Sequence, residues 1–118
     1  MAKHNETGIK GEQIAENFLL NKGYKIKHCN WRFGRKEVDI IAEKDNVLVF
    51  AEVKTRNSFD FGYPEEAVDL KKQNFLKQAA EAYLEIDTAF SYVRFDTISI
   101  LLDKGSIKEI VHFVDAFY

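Results

Sequence analysis

Two runs of β-formers, Val47–Arg56 and Tyr92–Leu102, are separated by a segment whose apolar residues Val68, Phe75, Leu76, Ala79 and Tyr83 recur at helical spacing. A long helix between two strands is the crossover that a parallel pair requires. The strands before it are joined differently. Tyr24–Phe33, Glu37–Glu43 and Val47–Arg56 are linked by short polar turns, and so pair antiparallel. The expected domain is therefore α/β, with a central mixed sheet, helices against it and the chain order α-β-β-β-α-β-β over residues 1–118.

The first helix is expected over Thr7–Lys22, with Ile14, Ala15, Phe18 and Leu19 as its apolar stripe and Gly23 as its terminator. Glu12 lies at the margin of that stripe. The second helix is expected to open at Pro64, with Glu65 and Glu66 in its first turn, and to run to about Glu85. Asn57–Tyr63 reads as a loop, Asp103-Lys104-Gly105 as a turn and Ile107–Phe113 as the last strand.

With 46% hydrophobic residues, ten Phe, five Tyr and Trp31 in 118 residues, a single core can be filled without staples. The only cysteine, Cys29, excludes an internal disulfide and a multi-cysteine zinc site, and fits a reducing compartment. No apolar run approaches the ~20 residues of a membrane span, and the opening residues lack the apolar core of a signal peptide. A soluble cytoplasmic protein is expected, with no membrane partner.

The second and third strands carry acids where apolar residues belong. By alternation Glu37, Asp39 and Ile41 share one face, and Phe50, Glu52 and Lys54 share one face of the next strand. If the hairpin turns on Asp45-Asn46, Asp39 lies opposite Glu52. If it turns on Lys44-Asp45, Asp39 faces Phe50 and Glu52 becomes its diagonal neighbour. In either register two carboxylates and an ammonium converge within the roughly 4.5–8 Å that cross-strand neighbours span. Asp39 and Glu52 are hard oxygen ligands suited to Mg²⁺ or Mn²⁺, and Lys54 could reach an attacking water or a developing phosphorane charge. The bland alternative is a solvated hairpin face on which Lys54 makes an ordinary ion pair.

The run Gly8-Ile-Lys-Gly-Glu12-Gln-Ile-Ala15, then Gly23-Tyr24, Asn30-Trp31-Arg32, Glu37-Val-Asp39-Ile-Ile-Ala42, Phe50-Ala-Glu52-Val-Lys54-Thr-Arg56 and Gly62-Tyr-Pro64-Glu-Glu66-Ala67 resembles the YraN-like family of bacterial proteins. Lys72-Gln73, Arg94-Phe95-Asp96 and Ala116-Phe117 extend the likeness over nearly the whole chain. Lys36 stands where the family usually has Gly. The resemblance implies a restriction-endonuclease-like, three-layer domain similar to archaeal Holliday junction resolvases. It places the superfamily's acid and E-x-K on Asp39, Glu52 and Lys54, with Glu12 as an additional acid and the Val53 carbonyl as a further metal ligand. It also implies DNA, including branched DNA, as substrate and a homodimer as the assembly.

The net charge of −2 hides a strong segregation: residues 17–36 carry +6, while residues 37–84 carry −4. Lys22, Lys25, Lys27, Arg32, Arg35 and Lys36, interleaved with Tyr24, Trp31 and Phe33, form a candidate nucleic-acid contact, to which Arg56 and Lys72 are added. The plainer reading puts Trp31 and Phe33 in the core and leaves the lysines on a solvated edge strand. His4, His28 and His112 show no ligand spacing. A metal-dependent nuclease, a non-catalytic nucleic-acid-binding module and a small protein-interaction adaptor are the functions compatible with these features.

Overall fold

A computed structural model describes residues 6–57 and 69–117. Its elements are α1 (Glu6–Asn21), β1 (Lys25–Phe33), β2 (Lys36–Lys44), β3 (Val47–Asn57), α2 (Leu70–Ile86), β4 (Tyr92–Asp103) and β5 (Ser106–Phe117). Chain order does not by itself settle who neighbours whom. In the single sheet the spatial order is β1-β2-β3-β4-β5, with β3 and β4 parallel and every other pair antiparallel.

Turn chemistry sets the registers. Asp45 and Asn46 both take positive φ (54° and 65°), as a two-residue hairpin turn matching the strand twist requires, and Lys44 pairs with Val47. Lys104 and Gly105 repeat the device between β4 and β5. The α1 terminus also closes as its sequence predicts. Gly23 has φ 90°, its N–H donates to the Leu20 carbonyl, and the Tyr24 N–H donates to the Leu19 carbonyl.

The start of α2 differs from expectation. Asp69 is extended (φ −70°, ψ 164°) and caps the helix, its side chain accepting from the Lys72 N–H at 2.8 Å, so the helix begins at Leu70. An acid one residue before a helical run is a capping signal in its own right. Pro64, Glu65 and Glu66 lie outside the described residues, as does most of the Asn57–Tyr63 loop; Asn57 itself ends β3.

One helix covers each sheet face. Ala15 and Leu19 of α1 pack on Ile40, Ala42, Val49, Ala51, Ile98 and Ile100. Leu76, Ala79, Ala80 and Tyr83 of α2 pack on Val38, Ile41, Leu48 and Phe50. Trp31 and Phe33 join this second layer, stacked at 6.2 Å with Trp31 edge-on to Tyr83. No described helix is long and apolar enough to cross a membrane.

Alternation holds through β3 and fails in β2. Ile40 and Ala42 face α1 and Ile41 faces α2, yet Val38 also lies in the α2 layer, and Asp39 lines a cavity on the α1 side together with Ile40. The expected shared face of Asp39 and Ile41 is therefore not observed. The reason is local: Asn30 on β1 takes φ 54°, no Asn30–Asp39 rung forms between the Cys29–Ile40 and Trp31–Val38 pairs, and the β2–β3 ladder ends at Ile40–Ala51.

Candidate active site

Asp39 and Glu52 are the residues immediately beyond the last β2–β3 rung, in the register set by Asp45-Asn46. Where the backbone ladder stops, the Asp39 carboxylate takes over: its Oδ2 accepts the Val53 N–H at 2.8 Å. That bond ties Asp39 to β3, one residue from Glu52. Val53 thus enters the site through its amide; its side chain packs in the α1 layer.

Glu12 reaches the same place from α1. Gly11 makes this possible, because a Cβ there would stand 1.9 Å from Thr55 Oγ1 of β3. The helix backbone lies directly on the strand. Glu12, Gln13 and Glu16 then share a cavity of about 290 Å³ with Cys29, Asn30 and Asp39. Cys29 donates its thiol to Glu16 at 3.5 Å, and desolvation of the sulfur, reinforced by the Glu16 and Glu12 charges, pushes its pKa up to about 11. It is an inert thiol at neutral pH.

Glu52 meets a lysine from the opposite layer. Lys72 Nζ lies 3.3 Å from Glu52 Oε1, with the two side chains 31% and 14% exposed. Burial pushes the Glu52 pKa up and the Asp39 charge adds to that, while Lys72 and then Lys54 pull it back without reversing it. Lys54 is half-buried and close enough for its charge to act on Glu52.

The donors fit a hard divalent cation in kind: carboxylate oxygens from three elements, with no competing imidazole. They are not drawn together as a finished cage, for among the described residues no three His, Cys, Asp or Glu side chains stand close enough to hold a metal. In the arrangement seen, Glu52 is turned to Lys72, and one Asp39 oxygen to the Val53 amide.

The basic residues separate to the two ends of the sheet. At the Asp39 end stand exposed Arg32, paired with half-buried Glu37 (3.6 Å), Arg35 in the β1–β2 turn, and Lys36, whose ammonium lies 5.6 Å from the Phe75 ring centre. Lys72 approaches the same ring at 5.8 Å, and half-buried Arg56 follows Lys54 on β3. At the far end Lys27 is paired with Glu43 (3.5 Å) and Asp87 (3.3 Å), Lys22 is 2.8 Å from His112 Nδ1, and exposed Lys25 opens β1 opposite Glu43. The structure therefore splits the expected basic strip, because a nine-residue strand carries its first and last charges to opposite ends. Trp31 is spent on packing against Phe33 and Tyr83.

Three features were missed by sequence reading. Lys72 is expected from sequence as a nucleic-acid contact and as part of the Lys72-Gln73 likeness, but not as the partner of Glu52, because that reach depends on how α2 lies on the sheet. Glu16 is assigned no role by sequence, and Asn30 enters only within the Asn30-Trp31-Arg32 motif, with nothing to place either at the cavity. The third is a buried knot at the far end: fully buried Asp96 binds Arg94 (2.9 and 2.8 Å), His112 Nε2 (2.7 Å) and the Asp115 N–H (2.9 Å). Because the Lys22 ammonium has no lone pair, His112 Nδ1 accepts and Nε2 carries the proton toward Asp96.

Residues 11–100 match the model of the uncharacterised protein family UPF0102, the group to which the YraN-like resemblance points. The chain belongs to the UPF0102 family. A UPF0102 protein of Bacteroides thetaiotaomicron is 47% identical over 118 residues, spanning all of this chain and 97% of the relative. One from Flavobacterium psychrophilum is 44% identical over 118 residues, spanning all of this chain and 98% of the relative. One from Syntrophomonas wolfei is 45% identical over 113 residues, 95% of this chain and 97% of the relative. The family match includes Glu12, Asp39, Glu52, Lys54 and Lys72.

Proposed function

We propose that this UPF0102 domain is a restriction-endonuclease-like, divalent-metal-dependent nuclease acting on DNA, with branched DNA as the substrate class the resolvase resemblance favours. The observation that carries the reading is that one end of the sheet holds Asp39, which shares the α1-side cavity with Glu12 and accepts the Val53 N–H, and Glu52, which faces Lys72 on the α2 side within reach of the Asp39 and Lys54 charges.

Asp39 and Glu52 would hold Mg²⁺ or Mn²⁺, with Glu12 and the Val53 carbonyl as further ligands. The ion, when bound, supplies Lewis-acid polarisation of the phosphodiester and an acidified water. Lys54 orients the attacking water and offsets the charge that develops on phosphorus. Arg32, Arg35, Lys36 and Arg56 surround this end and would hold the backbone phosphates in register. A homodimer would present two such sites to the two strands of a junction.

The test pairs a metal titration with a cleavage assay on duplex and four-way-junction DNA. Mg²⁺ or Mn²⁺ should raise the melting temperature of the wild type. Asp39→Asn and Glu52→Gln should each remove that rise and abolish cleavage. Salt-dependent DNA binding with no cleavage in any divalent metal would instead assign the domain to non-catalytic nucleic-acid binding. Absence of both metal linkage and DNA binding would leave a protein-interaction role.

A further inference from the structure

We propose that Lys72 is a resident counter-ion that occupies the place of the divalent cation beside Glu52 until a DNA phosphate draws it away, so that cation and DNA strengthen each other's binding. The proposal rests on the nuclease reading and specifies how that site is regulated.

The position of Lys72 is built into the fold. It is the third residue of α2, its N–H is held at 2.8 Å by the capping Asp69 carboxylate, and its ammonium ends 3.3 Å from Glu52. The two partners differ in freedom: Glu52 is 14% exposed and Lys72 31%. Glu52 is held by its strand, whereas a four-carbon lysine stem can swing its charge into water. The Phe75 ring, 5.8 Å from Lys72 Nζ and 5.6 Å from Lys36 Nζ, offers a face along which the ammonium can move toward a neighbour already suited to phosphate.

Charge counting supplies the driving force. Asp39 and Glu52 contribute two negative charges to this end of the sheet, and Lys54 and Lys72 two positive ones. A divalent cation entering beside an unmoved Lys72 would meet a nearby like charge and a carboxylate already engaged. A phosphate that takes Lys72 removes both obstacles, and the bound cation in turn draws in the phosphate. A cation without substrate then binds weakly, which limits stray hydrolysis.

The experiment measures Mn²⁺ affinity calorimetrically for the wild type, Lys72→Met and Lys72→Arg, with and without a short phosphorothioate DNA duplex that resists cleavage. The wild type should bind Mn²⁺ more tightly when duplex is present. Lys72→Met should bind Mn²⁺ about tenfold more tightly than the wild type without DNA, the order expected when a unit charge near a divalent ion is removed. Duplex should then add less to it, while Lys72→Arg should behave like the wild type. Lys72 is partly exposed, so the variants should fold, and their melting curves verify it. Mn²⁺ affinity in Lys72→Met equal to or weaker than the wild type, or an undiminished effect of duplex, would overturn the proposal and leave the nuclease reading standing. If neither wild type nor Lys72→Met binds Mn²⁺ with or without duplex, the metal reading fails and takes the proposal with it.

Discussion

Gly11 is the position where the seating of Glu12 can be tested with a single methyl group. A Cβ on Gly11 would stand 1.9 Å from Thr55 Oγ1, 2.9 Å from Thr55 Cβ and 3.0 Å from Thr55 Cγ2, where ordinary contact begins at 3.4 Å. Rotating Thr55 about χ1 moves Oγ1 but leaves the Cβ overlap. The strand cannot recede, because Thr55 is paired with Ile100 within the β3–β4 ladder. The helix must lift instead, at an overpacking cost of ~1–3 kcal/mol. Against this, alanine is the better helix former by roughly 0.5–1 kcal/mol. Gly11→Ala should therefore destabilise by about 1–2 kcal/mol, which for a chain of this size lowers the melting temperature by about 4–8 °C. Thermal unfolding followed by circular dichroism measures this. Thr55→Ala in the Gly11→Ala background should recover part of the loss by deleting two of the three colliding atoms. Since Glu12 rides on the lifted turn, Gly11→Ala should also reduce Mg²⁺-linked stabilisation. A Gly11→Ala protein melting at or above the wild type would mean that helix propensity wins and that α1 is not seated on Thr55 as described.

The buried knot at the far end gives a second prediction. Burial alone would push the Asp96 pKa up, but bonds from His112, Arg94 and the Asp115 amide outweigh it and hold the carboxyl below the ordinary value of 3.8. A carboxyl lowered in the folded state stabilises the fold above its unfolded pKa and loses that contribution as pH falls through the folded one. Asp96→Asn should cost roughly 3–5 kcal/mol at neutral pH by stranding the Arg94 guanidinium and leaving the His112 Nε2–H without its carboxylate, with the deficit shrinking below about pH 4 as the wild type protonates; a deficit independent of pH would refute the electrostatic account. The division of the basic residues gives a third. Lys36→Ala should weaken DNA binding and reduce the slope of log affinity against log salt by about 1, while Lys22→Ala and Lys27→Ala leave the slope unchanged. Equal losses at Lys27 and Lys36 would restore the continuous basic strip.

The parts of this protein legible in its sequence are those governed by neighbours along the chain. Asp45-Asn46 can adopt positive φ at both positions, so the turn chooses the register that sets Asp39 beside Glu52. Gly23 closes α1 for the same kind of reason, and a helical crossover makes β3 and β4 parallel. Alternation sorts β3 correctly, with Val49 and Ala51 toward α1 and Phe50 toward α2. In β2 it fails because the interruption belongs to another strand, at Asn30.

What only tertiary structure decided is which charges have already been spent. Lys27 and Lys72 look alike in sequence, yet one is held by Glu43 and Asp87 and the other reaches Glu52. Arg94, Asp96 and His112 become a unit only when β4 and β5 lie side by side. Periodicity assigns a residue to a face from the geometry of its own segment. An ion pair or a shared cavity depends on two segments meeting, and those contacts are settled by how α1 and α2 seat their apolar stripes on the sheet.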